Sequence, residues 1–371
     1  MSSRALFRRS RAVAAVAAAT ALTLGLAACS DDDDDSDTGT SASASASADG
    51  SDSDSDSGDS EDADQGTWPR TVDSLVIDNG QPTGDTEEVE IPAKPEKIVS
   101  TSVTLTGTLL AVDAPVIASG GAKAGPTSDD KGFFSQWAEE ADKQGVKALW
   151  QLEPDLQKVA AEDPDLIIVS AKGADTAAEQ IDELKKIGVP VVVLDYSDKT
   201  WGEITTEVGE ITGHESEAAD AIQSYEDRVA EVKENIGDVE QPVNVVLPAK
   251  EGNLNFMTAE SAQGQIIKDL GWELSVPGDD VARTDGDYAG RTDVRQVTGE
   301  NADKALVGKT VLGINVDGTE PVIDKLKAIP TLANADAIKN DRVFELGASA
   351  FRIDYFSAME ILDQIEEYFA K

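Results

Sequence analysis

The sequence predicts an α/β protein built as two Rossmann-like α/β lobes joined by one long α-helix, with a cleft between the lobes. Three patterns lead to this. Between residues 97 and 194, short continuous Val/Ile runs alternate with amphipathic helical segments. Strands apolar on both sides belong to a parallel sheet covered by helices on two faces. Next, Ala218, Ile222, Tyr225, Val229, Val232 and Ile236 recur at alternating spacings of four and three, which is one apolar stripe on a helix. At 1.5 Å per residue that helix spans roughly 30 Å. Finally, the strand–helix alternation restarts at Val243 and continues to the end of the chain. A single stiff connection restricts closure to a small rocking motion, and a ligand is expected where loops at the carboxyl ends of both sheets face each other.

Residues 1–28 carry Arg4, Arg8, Arg9 and Arg11 without an acid, then an apolar run from Ala12 to Leu26. That is the pattern of a secretory signal. The run is about 15 residues, short of the roughly 20 a spanning helix needs. It ends Leu26-Ala27-Ala28-Cys29, at the chain's one cysteine. Small residues before a lone Cys resemble a bacterial lipobox, which implies acylation (palmitate) of Cys29 and anchoring to a membrane without spanning it. The competing reading is an ordinary secreted protein with an incidental cysteine.

Residues 29–66 read as a disordered acidic tether of Ser-Ala and Ser-Asp repeats, with five consecutive aspartates at Asp31–Asp35. Such a segment buries too little apolar surface to offset its ordering entropy, and its like charges keep it extended. It lacks the glycine turn and spaced ligands of a calcium loop.

The first lobe is expected over 67–213. A β-hairpin over 69–92 turns at Asp78-Asn79-Gly80. Strands follow at 97–100, 115–118, 165–169 and 191–194, with helices at 103–112, 133–143, 156–161, 177–187 and 201–211, the last closed by Gly213. The linker helix occupies 214–237. The second lobe, 238–371, has strands at 243–247, 310–316 and 342–346. Its helices lie at 262–270, closed by Gly271, at 322–327 and at 355–370.

Composition excludes several functions. The formal net charge is -41, and without a basic cluster phosphate backbones have no face to bind. One His and one Cys cannot build a structural zinc site or a disulfide framework. No phosphate-binding loop, dinucleotide fingerprint or Gly-x-Ser-x-Gly elbow is present. A Ser–His–Asp triad would need His214, which sits at the start of the linker helix and reads as a helix-terminus residue. The absence of catalytic constellations favours a binding protein over an enzyme.

Several segments together carry a resemblance: Trp68-Pro69-Arg70, Ile98 to Gly107, Ala111 to Gly120, Gly209 to Glu215, Glu260 to Gln265 and Phe351 to Met359. The chain resembles the siderophore and cobalamin group of substrate-binding lipoproteins that feed ABC importers, and within it the ferric-enterobactin-binding branch. The resemblance implies a class III periplasmic-binding-protein-like fold and a ferric catecholate siderophore as ligand. It further implies an ABC importer permease with its ATPase as partner, a monomer, and a lipid anchor on the extracytoplasmic face of the cell membrane. Haem or cobalamin is the alternative ligand within the same class, and a cell-wall α/β enzyme the alternative of a different class.

A ferric tris-catecholate is roughly trianionic and its iron is already hexacoordinate, so the protein supplies no metal ligand. It needs cations and aromatic faces. One unit charge pair at ~5 Å is worth ~3 kcal/mol at an effective dielectric near 20, before desolvation, and arginine also stacks on catechol rings. By resemblance, Arg352 is the arginine of the Phe-Arg-x-Asp-Tyr motif, Phe256 stands where the family has a cleft tryptophan, and Arg291 matches a basic loop position. Their plain structural alternatives are an acid pair for Arg352, core packing for Phe256 and a solvated charge for Arg291. Where the family has another cleft arginine, this chain offers Lys123. Trp150, Tyr355 and Arg283 are further ligand candidates, with Arg295 and Tyr288 weaker ones. Partner docking in the family uses one surface acid per lobe. Glu300 matches the second-lobe acid, whereas the first-lobe position is Gln157, with Glu153 one helical turn away to take the role.

Overall fold

The computed structural model describes residues 66–151, 154–197 and 199–371. The signal segment, Cys29, nearly all of the acidic tether and Glu153 lie outside them. Two strands, β1 (Arg70–Asp78) and β2 (Gln81–Ile91), form an antiparallel hairpin. Asn79 and Gly80 both take positive φ at its turn, the geometry that matches the twist of paired strands.

The first lobe runs β3 (Ile98–Ser100), α1 (Val103–Ala111), β4 (Val116–Gly121), α2 (Ala138–Gln144), β5 (Lys147–Gln151), α3 (Leu156–Ala161), β6 (Leu166–Ser170), α4 (Ile181–Lys185), β7 (Val191–Leu194) and α5 (Trp201–Thr212). Its sheet is fully parallel in the order β5-β4-β3-β6-β7. Both faces are covered, as the Val/Ile runs require: Ile98, Leu166 and Ile168 point into one core cluster, and Val99, Ile167 and Val169 into the other. The hairpin docks on β7, where the Val193 N–H donates to Ser74 Oγ at 2.9 Å.

Gly213, in the left-handed conformation at φ 72, ends α5, and α6 (Glu215–Asn235) follows. The predicted stripe faces the core, with Ala218, Tyr225, Val229, Val232 and Ile236 buried and Ile222 half-buried. The second lobe runs β8 (Val243–Pro248), β9 (Leu254–Met257), α7 (Ala262–Asp269), β10 (Val294–Val297), α8 (Ala302–Ala305), β11 (Thr310–Ile314), α9 (Val322–Lys327), α10 (Asp336–Lys339), β12 (Val343–Leu346) and α11 (Tyr355–Phe369). Its sheet order is β10-β9-β8-β11-β12.

The structure corrects three expectations. The second sheet is mixed, because β9 and β10 pair antiparallel. Neither they nor edge strand β5 were anticipated. The helix expected over 133–143 begins only at Ala138. Residues before it form a turn in which Asp129 Oδ1 accepts the N–H groups of Lys131 and Phe133, at 2.9 and 2.8 Å. That turn buries Phe133, Phe134 and Trp137 together. Among the described residues no helix is long and apolar enough to cross a membrane.

Candidate ligand-binding groove

A groove of about 580 Å³ opens between the lobes, within the usual range for small-molecule sites. Its first-lobe wall comes from three chain segments at the carboxyl ends of the sheet. Thr104 lies in the first turn of α1. Asp175 Oδ2 fixes that turn by accepting from Ser102 Oγ at 2.6 Å and the Thr104 N–H at 2.9 Å. Lys172 follows β6, its ammonium 2.7 Å from Asp195 Oδ2 and 3.2 Å from Ser197 Oγ. Tyr196 and Lys199 follow β7, and Lys199 pairs with Glu207. Thr200 then caps α5 in a reciprocal capping box with Glu203, which fixes the helix that presents Trp201 to the groove.

Trp201 belongs to the first lobe by sequence but packs into the core of the second. Its ring lies edge-on to Tyr225 of α6 at 4.9 Å and 6.2 Å from Tyr355 of α11. It therefore touches the groove, the linker helix and the second lobe at once.

The second-lobe wall is built around Arg352. Gln263 Nε2 donates to the Ala350 and Phe351 carbonyls at 2.9 and 3.3 Å, and Ser357 Oγ donates to the Arg352 carbonyl at 3.0 Å. Asp354 caps α11 in a capping box with Ser357. The guanidinium crosses to the first lobe, where Nη1 donates to Thr104 Oγ1 at 2.8 Å. It lies 5.3 Å from the Phe134 ring centre and 5.9 Å from that of Phe351, at cation–π distance. Among the described residues no carboxylate pairs with Arg352. Burial and the nearby Asp175 carboxylate raise the Tyr196 phenol above its ordinary pKa, while hydrogen bonds to Thr104 and Arg352 pull the other way.

Arg291 Nε donates to Asp293 Oδ1 at 2.9 Å. This hydrogen-bonded pair raises the guanidinium's pKa against the effect of its partial burial. Burial pushes the Asp293 carboxyl up, but Arg291 outweighs it and the net shift is downward. The groove wall thus carries four cations, Lys172, Lys199, Arg291 and Arg352, against two carboxylates, Glu260 and Asp293. Asp195 and Glu207 stand directly behind the two lysines, so in a chain of net charge -41 the groove is locally close to neutral, and Arg352 is its one cation without a carboxylate partner among the described residues.

Of the residues anticipated from sequence, Arg352 and Arg291 line the groove. Phe256 does not. It is 0% exposed in the core between Val246, Leu254 and Val297, because the alternation of β9 turns it inward while Asn255 faces the opposite side. Trp150 packs over Gly120 against the first-lobe core. Tyr355 supports Trp201 from behind. Arg283 is exposed, bonded to Gln296 Oε1 at 2.8 Å and paired with Asp285, outside the groove lining. Arg295 pairs with Asp279. Tyr288 is held by Asn255 and Gln296. Lys123 is exposed on the loop after β4 and is not part of the groove wall. Glu300 is exposed beside a second cavity formed by the 248–253 and 316–331 loops. Gln157 is exposed in the first turn of α3. His214 is buried at the α6 cap, its Nδ1 3.1 Å from Thr212 Oγ1.

Sequence reasoning missed Thr104, Lys172, Tyr196, Lys199, Trp201 and Gln263. A signal existed for the lysines: each follows a predicted buried strand within five residues, at the carboxyl end where ligands of α/β sheets bind.

Comparison with known proteins is consistent with this geometry. The family model described as "Periplasmic binding protein" matches residues 98–350. The chain is 41% identical over 283 residues to the ferric enterobactin-binding periplasmic protein FepB of Escherichia coli, covering 75% of this chain and 87% of that one. It is 24% identical over 196 residues to the Fe(3+)-citrate-binding protein YfmC of Bacillus subtilis, covering 52% and 56%. The crystal structure of holo-ViuP is similar with a TM-score of 0.69 and 33% identity, covering 82% of this chain and 97% of that one. The FhuD protein from S. pseudintermedius shares the fold at a TM-score of 0.60 and 19% identity, covering 80% and 98%. With a match that runs through both lobes and across the groove, the chain belongs to the periplasmic binding protein family.

Proposed function

We propose that this protein is the extracytoplasmic binding component of an ABC importer, and that it captures a ferric catecholate siderophore of the enterobactin kind. The observation that carries the reading is Arg352, a guanidinium on the groove wall with no carboxylate partner among the described residues, in a groove that three further cations line in a chain of net charge -41. The 41% identity to a ferric enterobactin-binding protein points the same way. Arg352 is the central cation. It has Thr104 as a neutral partner at 2.8 Å, so an entering anion displaces a hydroxyl and not a carboxylate. Phe351, 41% exposed at the rim, offers an aromatic face beside it. The siderophore is cargo, and its iron keeps its own six oxygen ligands.

The remaining parts of the reading concern placement. Cys29 carries the lipid, the acidic tether holds a monomeric folded part off the membrane, and the permease docks on Glu300 and on the Gln157 region, with Glu153 as the first-lobe acid. Replacing Cys29 with Ala is expected to release the protein into the medium. The ligand is tested by tryptophan-fluorescence titration with ferric enterobactin, a ferric tris-hydroxamate, haem and cobalamin, since Trp201 lines the groove. Saturable sub-micromolar quenching by ferric enterobactin is expected. Tight binding of haem alone would overturn the reading.

A further inference from the structure

We propose that Lys172 and Lys199 form an exchangeable first-lobe half of the anion site and set its selectivity for charged over neutral iron chelates. The inference rests on the siderophore reading above and adds the residues that discriminate among siderophores. Both lysines stand in a wall shared by two cavities. One is the interlobe groove, and the other is a cavity of about 530 Å³ beneath the hairpin. Their carboxylate partners, Asp195 and Glu207, line the hairpin cavity and not the groove. Each lysine thus stands between its carboxylate, on the hairpin side, and the groove, on the other.

The pairs are built to exchange. Lys172 is 51% exposed and Lys199 32%, and each ammonium is a point charge on a flexible four-carbon stem. Ion pairs exposed to this degree are weak, because water screens them and the side chains lose freedom to form them. Asp195, 16% exposed, keeps a bond from the Ser197 N–H at 2.8 Å when the lysine leaves. Burial raises the Asp195 carboxyl, but while the pair is closed Lys172 and Ser197 together hold it below its ordinary pKa; when the ammonium leaves, the Ser197 N–H remains to anchor the carboxylate behind the wall. A trianionic chelate entering the groove competes for both ammonium groups. A neutral chelate does not, and leaves them on Asp195 and Glu207.

The experiment compares ferric enterobactin with a neutral ferric tris-hydroxamate such as ferrichrome. Wild type, Lys172→Met/Lys199→Met, Lys172→Arg/Lys199→Arg and Asp195→Asn are titrated at low and high salt, with thermal melting as a check on folding. The Met pair should weaken ferric enterobactin at least ~tenfold, as expected for two partly screened charges. It should also flatten the salt dependence and leave ferrichrome binding unchanged. The Arg pair should retain most of the affinity. Asp195→Asn removes the competing anion and should tighten ferric enterobactin severalfold, a direction that a purely structural ion pair would not give. If wild type binds ferric enterobactin and the Met pair binds it as tightly, the inference is overturned while the siderophore reading stands. Weakening by Asp195→Asn overturns the exchange. If wild type binds no ferric catecholate, the siderophore reading falls and the inference falls with it.

Discussion

Gly107 lies where α1 meets the start of α11 across the two lobes, and Gly107→Ala is the perturbation that measures how close that packing is. The residue is buried in α1. A Cβ there would stand 2.6 Å from Asp354 Oδ2 and 2.7 and 2.8 Å from Cδ1 and Nε1 of Trp137. Ordinary contact begins near 3.4 Å, so α1 and the start of α11 must separate by roughly 0.8 Å, an overpacking cost of ~1–3 kcal/mol. Alanine's better helix propensity offsets ~1 kcal/mol of this. Disturbing the Asp354 cap costs up to ~1 kcal/mol more, giving a net loss of about 0–3 kcal/mol. Asp354 lies two residues after Arg352, and Ser357 bonds to both, so the same displacement moves the guanidinium and should weaken ferric enterobactin ~3–10-fold. Urea denaturation reads the first effect as a lower midpoint at constant m, and fluorescence titration reads the second. Gly145→Ala is the control. Its Cβ would have no neighbour within 4 Å, so only its left-handed φ of 75 is strained and affinity should not move. A Gly107→Ala protein with an unchanged midpoint and unchanged affinity would refute the claim that close interlobe packing positions Arg352.

Other expectations follow from the same geometry. Arg352→Ala should weaken ferric enterobactin by at least ~1.5 kcal/mol, the low end for a lost charged hydrogen bond, and Lys should rescue only part of it because it cannot stack; unaltered binding in titration would remove Arg352 from the site. Phe256→Ala should cost ~3–5 kcal/mol of stability as a core cavity, whereas Phe351→Ala should lower affinity and leave the denaturation midpoint where it was. Burial pushes the Asp354 carboxyl up to about 6, outweighing the donors of Ser357 and Gln136, from an ordinary 3.8. The folded state then holds a proton that the unfolded chain releases, so this residue's contribution improves as pH falls through 6 toward 3.8. Asp354→Asn should accordingly gain up to about 3 kcal/mol relative to wild type at pH 7.5, and most of that gap should close by pH 4 in denaturation curves.

The parts of the molecule legible in the sequence are those where one local rule acts alone. The Val/Ile runs of β6 and β7 are fully buried on both faces, and the α6 stripe has no competing periodicity. Gly213 and Gly271 end their helices because only glycine takes positive φ there without strain. Legibility fails where burial comes from partners distant in sequence. Strands β9 and β10 are four residues each and carry Asn255, Arg295 and Gln296; Asn255 and Gln296 are satisfied by one another and by Tyr288 and Arg283, and Arg295 by the Arg291 carbonyl and Asp279. Phe133, Phe134 and Trp137 are spaced as one helical face, yet a turn capped by Asp129 buries them as well as a helix would. Resemblance assigned Phe256 to the groove by alignment, and strand alternation overruled it. Lys172 and Lys199 are not singled out by the sequence, since only the convergence of two loops brings them to one wall.

That convergence bears on how a chain with 72 acids and 31 Lys and Arg holds an anion at all. The Debye length is about 8 Å at physiological ionic strength, so affinity is set by charges in and directly behind the groove wall, where carboxylates balance Lys172, Lys199 and Arg291 but not Arg352. The approach from farther out is set by the whole surface, which repels a trianion. The two fields therefore respond to salt with opposite kinetic signs. Raising salt should relieve the long-range repulsion and increase the association rate, while weakening the groove contacts and increasing the dissociation rate more. Stopped-flow fluorescence with ferric enterobactin between 20 and 500 mM salt (about 20 to 4 Å of screening length) separates the two. An association rate that falls as salt rises would mean that the four groove cations dominate the field at encounter distance, and the division between a repelling surface and an attracting groove would have to be given up.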